Sequence, residues 1–359
     1  MHLKGIDMSS RSTTDLPLHH GKAPHWLSSR MKMLAAQILI ILSDEHSPEW
    51  IVEKIADPVW FQSLCCLLGY DWHSSGTTTV LCGILKSITI PGVTVAGGKG
   101  KLSKKAPQEI IEKGEESNIS SQTLDSLVRA SKMTAKVDNC LVQDGHQLYH
   151  HSIFFTESGT WAVVQQGMNL RTYYARRYQW YNSPQFIEQP HTGITGSRTS
   201  DVIDLTARES RECRETSLDI AKENPMKIRR YAHESQQTLD HYVGIKSFVM
   251  PKTIHWKALK KAYEMQPDTY EELVEIKGMG PKTLRGLALV SEFTFGEPPS
   301  YEDPVKFSFA FGGKDGVPFP VEREAMDEVI AVLKEAVEEL HLGKTEKMKM
   351  FHRLARINH

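Results

Sequence analysis

The densest set of side chains able to do acid, base or metal chemistry lies between residues 136 and 166: Lys136, Asp138, Gln143, Asp144, His146, Gln147, His150, His151, Glu157, Gln165 and Gln166. Carboxylates with a histidine beside them are the donor types that hold Mg²⁺ or Mn²⁺ against a phosphodiester. In this reading Asp138 and Asp144 are the metal ligands, with one of His150 or His151 next to them. Lys136 would steady the charge that develops on the phosphorus. Successive residues of a strand point to opposite faces, so only one of the two histidines enters a given cleft, and Gln165 and Gln166 divide in the same way. The competing reading makes all of them surface polar groups on an edge hairpin.

A second constellation is more specific. Ile276-Lys277-Gly278-Met279-Gly280-Pro281-Lys282-Thr283-Leu284 follows the pattern of a helix-hairpin-helix turn: apolar, any residue, Gly, apolar, Gly. Asp268 is the expected cap of the first helix, with Glu271 at its third position. Pro281 falls in the first turn of the second helix, which packs through Leu284, Leu287 and Ala288. Gly278 and Gly280 are expected where a side chain would be resisted and the main chain must come close to a ligand. N–H groups at the new helix start would then face an anion. Met279 plugs the gap between the helices, while Lys277, Lys282, Thr283 and Arg285 surround the turn. Such a site grips DNA phosphates without reading bases, so binding is independent of sequence and weakened by salt. The alternative is a helical hairpin used for packing alone.

Other segments suit the same partner. The glycine-rich run 97–105 carries Lys99, Lys101, Lys104 and Lys105. It lacks the spacing of a nucleotide-binding P-loop, which leaves a phosphate-backbone patch or a solubilising loop. His20-Gly21-Lys22 and Gly312-Gly313-Lys314-Asp315-Gly316 echo it. In 171–180, Arg171, Arg176 and Arg177 alternate with Tyr173, Tyr174, Tyr178 and Trp180, a mixture that suits stacking on single-stranded bases or, equally, an amphipathic helix with its rings turned inward. His73 among hydroxyl residues is a further candidate without an assignable acid partner.

These groups need elements to position them. The first 90 residues read as helical, with starts at Ser47-Pro48-Glu49 and Asp57-Pro58 and a stop near Gly69. A short strand is expected at 93–96, then helices after Pro107 and over 121–135. Residues 148–155 and 161–166 form a hairpin about Glu157-Ser158-Gly159. The fold class is α+β: a helical N-terminal region with a small mixed sheet or hairpin core, followed by an all-α helix-hairpin-helix domain. The expected units are an α/β catalytic domain over 1–181, a linker and charged helix over 182–224, a helix-hairpin-helix DNA-binding domain over 225–296, and a connector with a C-terminal amphipathic helix over 297–359.

Composition bounds the rest. The chain has 359 residues, 43 Lys and Arg against 44 Asp and Glu, a formal net charge of -1, 40% apolar and 24% charged residues. These values exclude wholesale disorder and a uniformly basic protein while leaving local basic patches. No apolar run approaches a membrane span and no signal sequence opens the chain, so a cytoplasmic protein is expected. The five cysteines, Cys65, Cys66, Cys82, Cys140 and Cys213, include no Cys-x-x-Cys pair and are expected as reduced, buried thiols rather than a zinc site.

Asp15-Leu16-Pro17-Leu18-His19, Asp71-Trp72-His73-Ser74-Ser75-Gly76, Ala96-Gly97-Gly98-Lys99-Gly100-Lys101, Ala135-Lys136-Val137-Asp138-Asn139, Val163-Val164-Gln165-Gln166-Gly167-Met168-Asn169 and Gly312-Gly313-Lys314-Asp315-Gly316 resemble a mainly archaeal family known as domain of unknown function 763. The resemblance covers nearly the whole chain and implies a prokaryotic cytosolic protein without supplying a reaction. The 136–166 region is loosely similar to the core of restriction-type nucleases, but Gln165 and Gln166 stand where that core has an acid and a lysine. The leading expectation is a structure-specific DNA nuclease of repair or recombination, dependent on Mg²⁺ or Mn²⁺, acting on DNA and no membrane, with homo-oligomerisation left open. The alternatives are a non-enzymatic DNA-binding scaffold and a DNA glycosylase or lyase using Lys282 and Asp303.

Overall fold

The computed structural model describes residues 23–70, 75–200, 202–241, 250–305, 323–340 and 342–355. Asp15 to His19, His20 to Lys22, Asp71 to Ser74 with His73, and the glycine run at 312–316 lie outside the described residues.

Local signals set the helix starts. After α1 (His25–Glu45), Ser47 accepts a hydrogen bond from the Trp50 amide at the head of α2 (Pro48–Ala56). Asp57 does the same for Val59 and Trp60 at the head of α3 (Pro58–Leu67). Each helix has proline in its first turn, where the missing N–H would have had no partner. α4 (Gly76–Lys86) completes this group, and β1 (Val93–Lys99) follows. A 3-10 turn at Gly100–Lys105 leads into α5 (Ala106–Glu116) and α6 (Ser121–Cys140).

After the two-residue β2 (Val142–Gln143), the expected hairpin forms from β3 (Gln147–Thr156) and β4 (Trp161–Asn169), continued by β5 (Tyr174–Tyr181) and β6 (Gly193–Thr195). The sheet has the order β1-β3-β4-β5-β6 and is antiparallel throughout, while β2 pairs with β7 (Ile203–Asp204). Alternation along the strands divides them between two cores. Ile153, Phe155, Val163 and Trp180 pack with Leu127, Ala130 and Val137 of α6. Phe154, Ala162 and Val164 pack instead with α1 to α4.

The C-terminal half is α7 (Arg211–Lys222), α8 (Pro225–His241), α9 (Trp256–Met265), α10 (Tyr270–Glu275) and α11 (Pro281–Val290), then α12 (Arg323–Glu339) and α13 (Lys344–Ala355). Three expectations change here. Residues 182–200 are no free linker: they supply β6 and bury Phe186, His191 and Ile194. Segment 171–180 is an interior strand over most of its length, with Tyr178 and Trp180 turned inward. The expected boundaries near 181 and 224 are also bridged, because one apolar cluster joins Phe155, Val163 and Trp180 of the sheet to Cys213, Leu259, Leu273 and Leu287 of the C-terminal helices. α12 returns to the N-terminal core through Leu333, Ala336 and Val337.

Candidate nucleic-acid interface

α10 begins one residue later than its spacing suggests. Thr269 is the cap, accepting from the Glu272 amide at 3.2 Å, and the Glu272 carboxylate reaches back to the Asp268 amide at 2.9 Å. This reciprocal box leaves Glu271 free to pair with Arg129 of α6, which also meets Glu275. Leu273, Val274 and Ile276 are buried, and so is Met279, the expected plug. Gly278 has φ +95°, a left-handed conformation, and a Cβ there would lie 2.8 Å from the His255 ring. Gly280 differs. Its φ of -105° and ψ of 177° are open to any residue, and a Cβ would meet nothing nearer than 3.9 Å. The fold therefore requires glycine at Gly278 only; at Gly280, the cap of α11, no side-chain hydrogen bond covers the helix start. Lys277 and Lys282 are exposed beside it, Arg285 is half-buried and Thr283 is buried, accepting from the His255 amide through its hydroxyl.

Two more features share this end of the molecule. Gly97 has φ +89°, and a Cβ there would lie 2.2 Å from the His151 carbonyl oxygen, so only glycine lets β1 close on β3 before the chain turns away. The 3-10 turn that follows leaves Lys99, Lys101, Lys104 and Lys105 exposed. The register Lys99↔His150, Gln147↔Met168 and Asn169↔Tyr174 puts that turn beside the tip 170–173, where Leu170, Arg171 and Tyr173 are exposed. The helical hairpin meets the same end: Gln143, just before β3, donates to the Pro281 carbonyl at 3.0 Å, and Lys136 donates to the Ile276 carbonyl at 3.5 Å. Lys136 therefore stands with the hairpin lysines, away from Asp138.

The 136–166 acids and histidines lie inside. On the α6 face, Ser131 Oγ is 2.8 Å from His151 Nε2, and His151 Nδ1 is 2.9 Å from Gln165 Oε1. Gln165 Nε2 and Trp180 Nε1 donate to Asp138 Oδ2 at 2.5 and 3.0 Å, and His191 Nε2 lies 2.5 Å from Oδ1. Because the carboxylate must accept from the Gln165 amide nitrogen, the amide oxygen accepts from His151 Nδ1–H, and Nε2 accepts from Ser131. Burial raises the Asp138 carboxyl above its ordinary range despite His191 and Trp180, and burial presses His151 down to about 4 against the Gln165 hydrogen bond. Asp144 forms a neighbouring knot. Arg176 and Tyr178 donate to its Oδ2 at 2.7 and 2.6 Å, and the His146 amide donates to Oδ1 at 2.9 Å. Burial works to raise its carboxyl, but Arg176 with His146 and Tyr178 outweighs it and holds the group at about 2.

Of the expected metal and catalytic residues, the fold thus brings Asp138, His151 and Gln165 together and sets Asp144 beside them, all buried, while His150 is on the opposite face. Each oxygen of both carboxylates is already engaged by a protein donor. Among the described residues no group of three or more His, Cys, Asp or Glu side chains is arranged to hold a metal. Arg176 and Arg177, expected at a DNA surface, are fully buried. Asp303 is closed into an ion pair with Arg176 at 2.7 Å. His191 and Ser131 escaped the sequence reading because their partners lie 53 and 20 residues away, at no spacing that marks a motif.

Residues 12–321 match the family described as Protein of unknown function (DUF763). No curated protein and no solved structure matches the chain. No helix among the described residues is long and apolar enough to cross a membrane.

Proposed function

The chain belongs to the DUF763 family, and from its own residues we propose that it is a DNA-binding protein that grips the phosphate backbone through a helix-hairpin-helix element. One observation carries this reading: between α10 and α11, Gly278 makes a left-handed turn over a buried Met279, and the uncapped start of α11 emerges between exposed Lys277 and Lys282. The start of α11, where Pro281 has no N–H and Thr283 bonds back to the Gly280 carbonyl, presents the Lys282 N–H and the positive helix end between lysines, which favours a phosphate and carries no means of reading a base. The lysine turn at Gly100–Lys105 and the exposed Arg171 and Tyr173 at the same end extend the track.

The geometry supports binding ahead of cleavage. Every oxygen of Asp138 and Asp144 already accepts from a protein donor, both carboxylates are buried away from any phosphodiester, and the Asp303 of the base-removal alternative is occupied by Arg176. The test is to titrate single-stranded, duplex and branched DNA with the protein in Mg²⁺, Mn²⁺ or EDTA. Binding should be independent of metal and fall steeply with salt. Replacing Lys101, Lys104 and Lys105 by Ala should flatten the salt dependence by about 0.9 in log–log slope for each lysine that meets a phosphate. Absence of binding at low salt would overturn the proposal; metal-dependent fragments would restore the nuclease expectation and require the buried carboxylates to open.

A further inference from the structure

Arg176 and Arg177 are consecutive on β5, both fully buried, and face opposite sides of the sheet. Their surroundings differ in kind. Arg176 is neutralised by Asp144 and Asp303, each at 2.7 Å. Arg177 donates from Nε to Gln179 at 2.9 Å and from one terminal nitrogen to Gln62 at 3.1 Å, and its Cζ lies 4.8 Å from the centre of the Phe61 ring. The other terminal nitrogen has no partner, and among the described residues no carboxylate pairs with this guanidinium. A buried charge without a counter-charge is among the costliest features a fold can carry, and arginine does not escape by losing its proton.

The unmet groups are gathered along one line. Register pairs Lys99 with His150, His150 with Gln166, Gln166 with Arg177 and Arg177 with Thr195, so all five strands contribute one polar side chain to a single row. His150 Nδ1, Gln166 Oε1, Arg177 Nη2 and Thr195 Oγ1 are buried without a hydrogen-bond partner. So are Ser63 Oγ and Thr78 Oγ1 on α3 and α4, which pack on this face. Gln166 Nε2 donates to the Ser75 carbonyl at 2.8 Å, which brings the positive end of α4 to the row. At its outer end are exposed Lys99 and half-buried Tyr149, whose hydroxyl accepts from Gln166 at 2.5 Å.

We infer that the Gln166–Arg177–Thr195 stretch of this row is a binding site for one phosphate group, free or as a monoester. Water would meet the hydrogen-bonding needs of these atoms but not the charge of Arg177; an oxyanion meets both. Arg177 and Thr195, on adjacent strands, supply donors, the α4 start and, farther along the row, Lys99 supply field, and Gln166 Oε1 on the other side of Arg177 needs a donor in return. Its amide orientation is fixed by the Ser75 carbonyl, which must accept from the nitrogen. Hydrogenphosphate carries one P–OH for that oxygen, as a monoester does in its monoanion, whereas sulfate carries none, so the site should prefer phosphate over sulfate.

The test is thermal unfolding of protein refolded in phosphate, sulfate, chloride or adenosine 5′-monophosphate at matched ionic strength. Phosphate should raise Tm by several degrees in a concentration-dependent way, with sulfate less effective. A larger shift with the monophosphate identifies the ester as ligand; a larger shift with phosphate identifies the free ion. Arg177→Met should abolish the phosphate shift while keeping Tm in chloride at or above the wild-type value, since it removes an uncompensated charge. Thr195→Val, which preserves shape, should weaken phosphate about tenfold and serves if Arg177→Met does not fold. Equal Tm in phosphate, sulfate and chloride, or a shift that survives both substitutions, overturns the site. The inference is independent of DNA binding: Arg177→Met should leave DNA affinity unchanged, and the Lys101, Lys104 and Lys105 substitutions should leave the phosphate shift unchanged.

Discussion

The two glycines of the hairpin offer a test in which folding and binding respond to different substitutions. At Gly278, φ +95° lies where an L side chain costs about 1–2 kcal/mol. A new Cβ would also stand 2.8 Å from His255, whose ring caps α9 by accepting from the Ala258 amide at 3.1 Å. Moving that ring forfeits a cap contributing about 1 kcal/mol. Gly278→Ala should therefore lower unfolding free energy by about 2–3 kcal/mol, visible as a lower denaturation midpoint at unchanged slope. Gly280→Ala meets an ordinary backbone and open space, so stability should hold or rise by about 0.4–1 kcal/mol through the unfolded chain. Its methyl group stands where a phosphate would approach the start of α11. Loss of one charge-assisted hydrogen bond costs about 1.5–3 kcal/mol, or roughly tenfold to a hundredfold in affinity. The assay is fluorescence anisotropy on duplex and single-stranded DNA at fixed salt, alongside urea denaturation. Gly280→Ala protein that is stable yet binds as tightly as wild type would refute the hairpin as the DNA contact. An unchanged denaturation midpoint for Gly278→Ala would refute the strain argument.

Two further outcomes follow from the interior. Burial holds His150 at about 3 and His151 at about 4, below the 6.5 of an unfolded histidine, so the unfolded chain binds their protons first. Their contribution to stability is complete above pH 6.5 and falls as pH drops toward 4, by about 1.4 kcal/mol per pH unit for each histidine. His151→Gln should halve that slope in denaturation curves taken between pH 6 and 4.5, and an unchanged slope would show that His151 is protonated in the folded protein. All five cysteines are buried free thiols, and burial pushes Cys82 up to about 12 and both Cys140 and Cys213 up to about 11. A thiol reagent at pH 8 should titrate none of them in the native protein and all five in denaturant; rapid reaction of even one without denaturant would contradict its burial.

The sequence by itself determined what short-range physics governs. Ser47-Pro48 and Asp57-Pro58 start helices because cap and proline act within one turn. β-Branched and aromatic runs joined by Glu157-Ser158-Gly159 make the β3–β4 hairpin, and Gly278 marks the left-handed turn. Where two caps compete, Thr269 prevails over its neighbour Asp268 and shifts the helix start by one residue. Tertiary structure decided which charged groups meet. Nothing local distinguishes Arg176 from Arg177, yet one is neutralised by aspartates 32 and 127 residues distant and the other, among the described residues, has none. His191 reaches Asp138 only because a polar stretch that reads as linker adds the fifth strand, and Lys136 leaves Asp138 for the hairpin because α6 turns the two residues to different sides. The pattern of a strand gives the face on which a side chain lies, but the partner on that face is chosen by packing of segments far apart in the chain, where the cost of an unpaired buried charge outweighs any local preference.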